Sequence, residues 1–433
     1  MRYPNHPNIQ TITNHIQLYT QLKHEYGAQR IELVLARVER AMKHALNELT
    51  KLPVDQTLSK KEPNNLTAIR QLRPSGPRRQ WNRFDSKIYR DRIEGALIGR
   101  MAGCTLGAPV EGTRIDYMED LARENGEKFP PRNYWSYVPS PYVIRYDWGP
   151  REAYTRPKMN GVPADDDIVY TLLGLLVVEK FGPDFTMAQN GKAWIKYLPM
   201  ACTAEKVALD NLKAGIPARN AGEKGNPYCE WIGADIRSDP WGYMAPGWPE
   251  KAAEMAWRDA YLSHRRNGIY GEMFFAAAIS AAFATDDPVK ALKIGLTEIP
   301  KECTLAKAVR WAFRLAPRIR NYRQARAAVD RRFAGMHCVH TINNACLTIW
   351  GITIGGTDFT KVIGETVAMG LDNDCTAATA GSIVGAVVGK KGIPKHWYKS
   401  FHNTVHSYII GKPRFRIDDL VKRFGKQAEK THA

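Results

Sequence analysis

Glycine recurs at every fourth position in two distant stretches, Gly95, Gly99, Gly103 and Gly107, then Gly381, Gly385 and Gly389. A spacing of four places each set near one face of a helix. Each glycine costs a helix about 1 kcal/mol relative to alanine, so a stripe of them needs a packing reason. Close approach of two helices supplies one. The membrane form of this pattern requires an apolar segment of about 20 residues, and Arg92, Glu94 and Arg100 interrupt any such segment here. The stripes therefore predict two helices in a water-soluble protein, packed backbone to backbone, which draw together whatever their ends carry.

The rest of the chain agrees with a helical protein. From residue 89 to about 389, small-residue-rich segments with helical spacing alternate with Gly/Pro/Asn loops, and strand-like alternation is scarce. The fold expected is all-α, a compact multi-helix body with its functional site at helix N-termini. Residues 15–52 read as one or two amphipathic helices, and residues 53–83, rich in Pro, Lys, Arg and Asn, as a loop or linker. Three parts are expected: a basic N-terminal extension over 1–85, a central domain over 86–411 and a basic tail over 412–433. The net charge of +18 belongs to the two ends. Residues 1–90 hold 16 Lys and Arg against 7 Asp and Glu, residues 390–433 hold 11 against 3, and the body between holds 35 against 34. Such ends attract nucleic acid or an acidic protein partner, or remain solvated.

The seven cysteines are widely spaced and form no Cys-x-x-Cys pair, which suits reduced thiols and a cytoplasmic location. No secretory leader is evident, and the apolar run at 172–178 is too short to span a bilayer, so no membrane association is expected.

The acids give the chemistry. Asp165, Asp166 and Asp167 precede a segment, 168–181, that is apolar almost all the way round. Asp372 and Asp374 precede a small-residue helix at 375–389. One acid at each place is explained by N-capping. Three together repel unless cations lie between them, and oxygen donors gathered this way suit Mg²⁺, Mn²⁺ or Ca²⁺. Glu111 follows a turn at the end of the first glycine-striped helix, so packing of the two stripes would carry it toward Asp372 and Asp374, the alternative being a loop that leaves it in solvent. His337 and His340 lack further ligands at zinc spacing and are expected to hydrogen-bond locally.

These pieces, in this order, resemble the ADP-ribosylglycohydrolase family. Its opening pattern, G-A-L-x-G-x-x-x-G-D-x-L-G-A-P-x-E, is met by Gly95-Ala-Leu-Ile-Gly-Arg-Met-Ala-Gly-Cys-Thr-Leu-Gly-Ala-Pro-Val-Glu111. Its T-D-D before a buried helix is met by Asp165-Asp166-Asp167, and its G-G-D-T-D-T by Gly370-Leu371-Asp372-Asn373-Asp374-Cys375. A middle motif is matched by residues 263–271. The resemblance covers about 300 residues, from 90 to 389. It departs at Cys104, in the place of an aspartate, at Leu371, in the place of a glycine, and at Cys375, in the place of a threonine. The register of the second motif is open, since Ala164 can also take the threonine position.

The resemblance implies a metal-dependent hydrolase that removes ADP-ribose from a modified protein side chain, arginine favoured, by cleaving the C1″ glycosidic bond. It implies two divalent cations, Mg²⁺ first and Mn²⁺ as the alternative. Their ligands would be Asp165, Asp166, Asp167, Asp372, Asp374 and Cys375, with Glu111 or Asp166 as acid–base group. His264, Asn267, Gly268, Tyr270 and Gly271 would bind the ADP part. The partner would be an ADP-ribosylated protein. The competing expectation is a non-catalytic protein of the same fold that holds ADP-ribose, or an ADP-ribosyltransferase toxin through residues 1–85, as an immunity protein does.

Overall fold

The computed structural model describes residue 3, residues 6–145 and residues 149–433. The chain falls into two units, Met1–Lys60 and Lys61–Ala433. The first holds the helices Ile9–Glu25 and Ile31–Lys51, with Asn8 capping the former through a bond from Thr11 N. The second is built of helices. Among the described residues its strands are two short antiparallel pairs, Ile144–Arg145 with Gly149–Pro150 and Thr404–His406 with Arg414–Arg416. No helix of the described residues is long and apolar enough to cross a membrane. The expected all-α fold is the one observed.

The two striped segments are the helices Ser86–Gly107 and Asn373–Val388, and they form the most intimate pair in the fold. At Gly103 an added Cβ would lie 2.1 Å from the Ala377 carbonyl oxygen, and at Gly99 2.1 Å from that of Gly381. No side chain fits between backbones this close. At the lower end of the seam a Cβ on Gly107 would fall 2.5 Å from the Asp374 Cα and backbone N. The glycines thus set one acid of the second cluster directly against the end of the first helix.

Around this pair lie three further helices that are buried along most of their length, Asp166–Phe181, Asn267–Ala282 and Thr341–Gly355. The basic C-terminal residues are not a loose tail. The strand Arg414–Arg416 leads into the helix Ile417–His432, which buries Leu420, Phe424 and Ala428. Its apolar residues follow the 3.6 spacing, and its charges face outward.

Residues 53–83 correct the linker expected there. They contain the helices Gln56–Lys61 and Leu66–Leu72, and from Lys61 onward they fold with the second unit. The segment has few apolar residues because charge anchors it. Arg73 and Arg78 both reach the buried Glu298, and Arg73 also pairs with Glu250. Glu62, 2% exposed, accepts from Arg266 Nε at 2.9 Å, from Asn267 Nδ2 at 3.0 Å and from Thr304 N at 2.7 Å. Glu62→Ala strands these donors, and loss of one partner from a buried network costs about 3–5 kcal/mol. Urea denaturation should show that loss; a change below about 1 kcal/mol would mean the network is ornamental.

Candidate metal centre and active site

The helix Asp166–Phe181 starts at Asp165, whose carboxylate accepts from Asp167 N and so caps it. Asp372 stands at the same position before Asn373–Val388 but makes no capping bond. It is 3% exposed, and its Oδ1 accepts no hydrogen bond. Capping therefore explains Asp165 and leaves Asp372 for another use.

The turn that delivers Asp372 runs through Gly370 and Leu371 with φ of 69° and 61°. A leucine in the left-handed region costs about 1–2 kcal/mol, a strain of the kind that collects at functional sites. The Leu371 carbonyl accepts from Gly112 N at 2.9 Å, which ties this turn to the loop carrying Glu111. As a result, one oxygen each from Glu111, Asp372 and Asp374 lie within 4.8 Å of one another. Donors 2.0–2.5 Å from a common ion are separated by about that distance.

Two further triads adjoin the first, Asp167 with Asp374 and Cys375, and Cys104 with Asp165 and Asp167. Burial, with Asp374 and Asp165 adding repulsion against the pull of Arg100, holds the Asp167 carboxyl well above the usual range. Burial raises Asp372 likewise, helped by Asp374 and Glu111. Carboxylates in this position either keep protons or share a cation. The orphaned oxygen of Asp372 and the carboxylates of Glu111 and Asp374 around it fit a divalent cation.

Arg100 is the central residue that the sequence reading did not assign. It is 1% exposed, and its guanidinium is fully engaged. Nε donates to the Asp167 carbonyl at 2.8 Å, Nη2 to Asp167 Oδ1 at 2.8 Å and to the Ile236 carbonyl at 2.6 Å, and Nη1 reaches Asp239 Oδ2 at 2.7 Å. An arginine within a small-residue helix demanded a buried acid partner, and that was the available signal.

Glu111, Asp166, Asp372 and Cys375 line a cleft with Tyr170, Cys202, Thr203, Glu205, Trp231 and Val339. Of these, Thr203 has φ of 40°, a costly conformation for a β-branched residue. The half-buried Trp231 stacks on His337, ring centroids 4.1 Å apart. No sequence motif flags these walls. As expected, the two histidines bond locally: His340 Nδ1 accepts from Ile342 N and His337 Nδ1 from Val339 N.

The middle motif lies elsewhere. His264, Asn267, Gly268, Tyr270 and Gly271 are all buried, and none lines the cleft. Tyr270 donates its hydroxyl to the Pro63 carbonyl at 2.5 Å, and Asn267 Oδ1 accepts from Leu305 N at 2.9 Å. His264 Nδ1 lies 2.8 Å from Ser263 Oγ, and burial lowers its pKa well below the usual histidine value. A Cβ on Gly268 would meet the Cys229 carbonyl, and one on Gly271 would meet Asp235 Oδ1. Asn267 and Tyr270 tie the core to Glu62 and Pro63.

Fold and site together define an all-helical protein in which carboxylates at helix N-termini surround a cleft. The profile of the ADP-ribosylglycohydrolase family matches residues 85–432, and the chain belongs to that family. Among solved structures it is similar in fold to one described as an "ADP-ribosylglycohydrolase-related protein complex", at 18% identity and a TM-score of 0.53. That likeness covers 80% of this chain and 100% of the other. No curated protein matches the sequence.

Proposed function

We propose that this chain hydrolyses the C1″ glycosidic bond of an ADP-ribosylated protein side chain, arginine favoured, at the Glu111–Asp166–Asp372 cleft. The observation that carries the reading is the Glu111, Asp372 and Asp374 triad, drawn from two distant helix ends and set beside an open cleft. Divalent cations, Mg²⁺ or Mn²⁺, held by these acids and by Asp166 and Asp167, would bind ribose hydroxyls and lower the pKa of a bound water.

The chain's own groups do the rest. Cleavage builds positive charge on the ribose, which the surrounding carboxylates stabilise. Glu111 and Asp166 both face the cleft and are only half-buried, so either can pass a proton to the departing nitrogen and take one from water. Asp167, fixed by Arg100, keeps its place as the others move protons.

Release of free ADP-ribose from arginine-linked and serine-linked protein, with Mg²⁺, with Mn²⁺ and with EDTA, tests this. Metal-dependent release, faster from arginine, is the expected result. Metal bound without release from either linkage would overturn it.

A further inference from the structure

We propose that residues 313–320 and the cavity they wall form a docking surface for single-stranded nucleic acid. One base enters the cavity, and the flanking phosphates lie on Lys293, Arg320 and Lys361. The surface is separate from the acidic cleft and stands whether or not the chain hydrolyses ADP-ribose.

The near-neutral charge of the body conceals a local excess. Residues 301–332 hold 10 Lys and Arg against 2 Asp and Glu, whereas the rest of residues 91–389 hold 25 against 32. Some of these cations are accounted for within the fold. Lys307 and Arg310 share Glu302, Arg323 pairs with Glu119, and Arg326 pairs with Asp330. Arg332 lies over the Trp311 ring, 4.5 Å from its centroid. Arg314, Arg318 and Arg320 are exposed, and among the described residues no carboxylate pairs with them.

Arg320 also lines a cavity of about 380 Å³, within the roughly 300–1,000 Å³ of small-molecule pockets. Three exposed cations, Lys293, Arg320 and Lys361, share its wall with Phe313, Ile319, Ile354 and other apolar residues, and no carboxylate lines it. Balancing of helix dipoles accounts for Lys293, in the last turn of Pro288–Gly295, but not for the other two. Lys361 stands in the first turn of Phe359–Ala368 and Arg320 just before Tyr322–Arg332, ends that favour acids. Lys361 also borders a smaller hollow of about 140 Å³ that Arg132 lines. The two acids there are engaged by backbone, Asp358 accepting from Lys361 N and Glu365 from Tyr322 N. Cations gathered round an apolar cavity suit an anion that carries a flat apolar body.

A nucleotide has both parts. Arginine forks grip phosphate oxygens in pairs, and bases stack on aromatic faces whatever the sequence. Phe313 is the half-buried ring in the cavity wall. Only an unpaired base is free to enter. Acidic side chains of a protein would bring charge but nothing flat to fill the cavity. The cavity and the cleft lie at opposite ends of the helix Thr341–Gly355: Thr353 and Ile354 line the former, Val339 the latter. At about 1.5 Å per residue that helix separates them by roughly 20 Å.

The test is fluorescence anisotropy with a labelled oligothymidylate of about 12 nucleotides, in EDTA so that bound metal plays no part. Binding should be tight at low salt. The Lys293→Gln/Arg320→Gln/Lys361→Gln variant should lose at least about tenfold in affinity, and its log–log salt dependence should be shallower by about 2. Phe313→Leu, which keeps the apolar volume, should lose at least about fivefold through lost stacking. Lys422→Gln/Lys426→Gln/Lys430→Gln, on the basic C-terminal helix, is the charge-matched control, and circular dichroism checks every fold. No binding at low salt, or equal losses in the two triple variants, overturns the proposal. Displacement by polyglutamate at equal charge, with Phe313→Leu unaffected, overturns it in favour of an acidic protein.

Discussion

Asp374→Ala leaves a folded protein that releases ADP-ribose about a thousandfold more slowly, a loss of about 4 kcal/mol in transition-state stabilisation. Asp374 belongs to two of the three triads, so it is the acid whose removal disturbs most of the centre. Neighbouring acids cannot replace it. Asp372 and Glu111 are fixed by the 370–371 turn and the loop it holds, and Asp167 is fixed by Arg100. The fold should survive, because Asp374 lies among carboxylates that repel it, and their separation improves when one is removed. Single-turnover release, with circular dichroism and Mn²⁺ binding on the same sample, checks the claim. Activity within tenfold of the unaltered chain would place the chemistry elsewhere.

Gly103→Ala should be among the most damaging single changes in the fold, although it adds one methyl group. That methyl would sit 2.1 Å from the Ala377 carbonyl oxygen and 2.4 Å from its carbon, and backbone cannot swing aside as a side chain can. The two striped helices must part along the whole seam. Overpacking of this kind costs about 3 kcal/mol or more, which lowers the melting temperature by roughly 5 °C or more. Gly425→Ala is the control. Its Cβ meets only the Tyr89 ring at 3.5 Å, an ordinary contact, and it lies within the helix Ile417–His432. There alanine should gain up to about 1 kcal/mol from helix propensity. Calorimetric melts of the two variants should move in opposite directions. Equal shifts would mean that the seam is no tighter than the rest of the fold.

The glycine stripes made the central helix pair legible because a four-residue period has few other physical causes. The acids were legible because three consecutive aspartates exceed what one cap requires, and the structure sharpened this by showing Asp165 capping and Asp372 not. The contacts of residues 263–271 were not legible, because a buried polar side chain and a ligand-binding one look alike until their partners are known. The partners of Asn267 and Tyr270 are Glu62 and Pro63, some 200 positions away, and no local period encodes that distance. For the same reason residues 53–83 read as a linker: their anchors are arginine–glutamate pairs, and composition alone cannot tell an anchored arginine from a solvated one. Arg100 was visible as an interruption of an apolar stretch, yet its acids lie on other elements.

The attachment of Glu62, Pro63 and Asn64 to the core separates two boundaries that are usually treated as one. Similarity to the family begins at residue 85. Yet the groups that satisfy Arg266, Asn267 and Tyr270 come from upstream of it. A fragment cut where the likeness starts would keep every acid of the centre and lose the carboxylate and carbonyls that fasten its middle helix. Inheritance and self-sufficiency therefore divide this chain at different places, and transplanting the intact fold requires the piece that begins near Lys61.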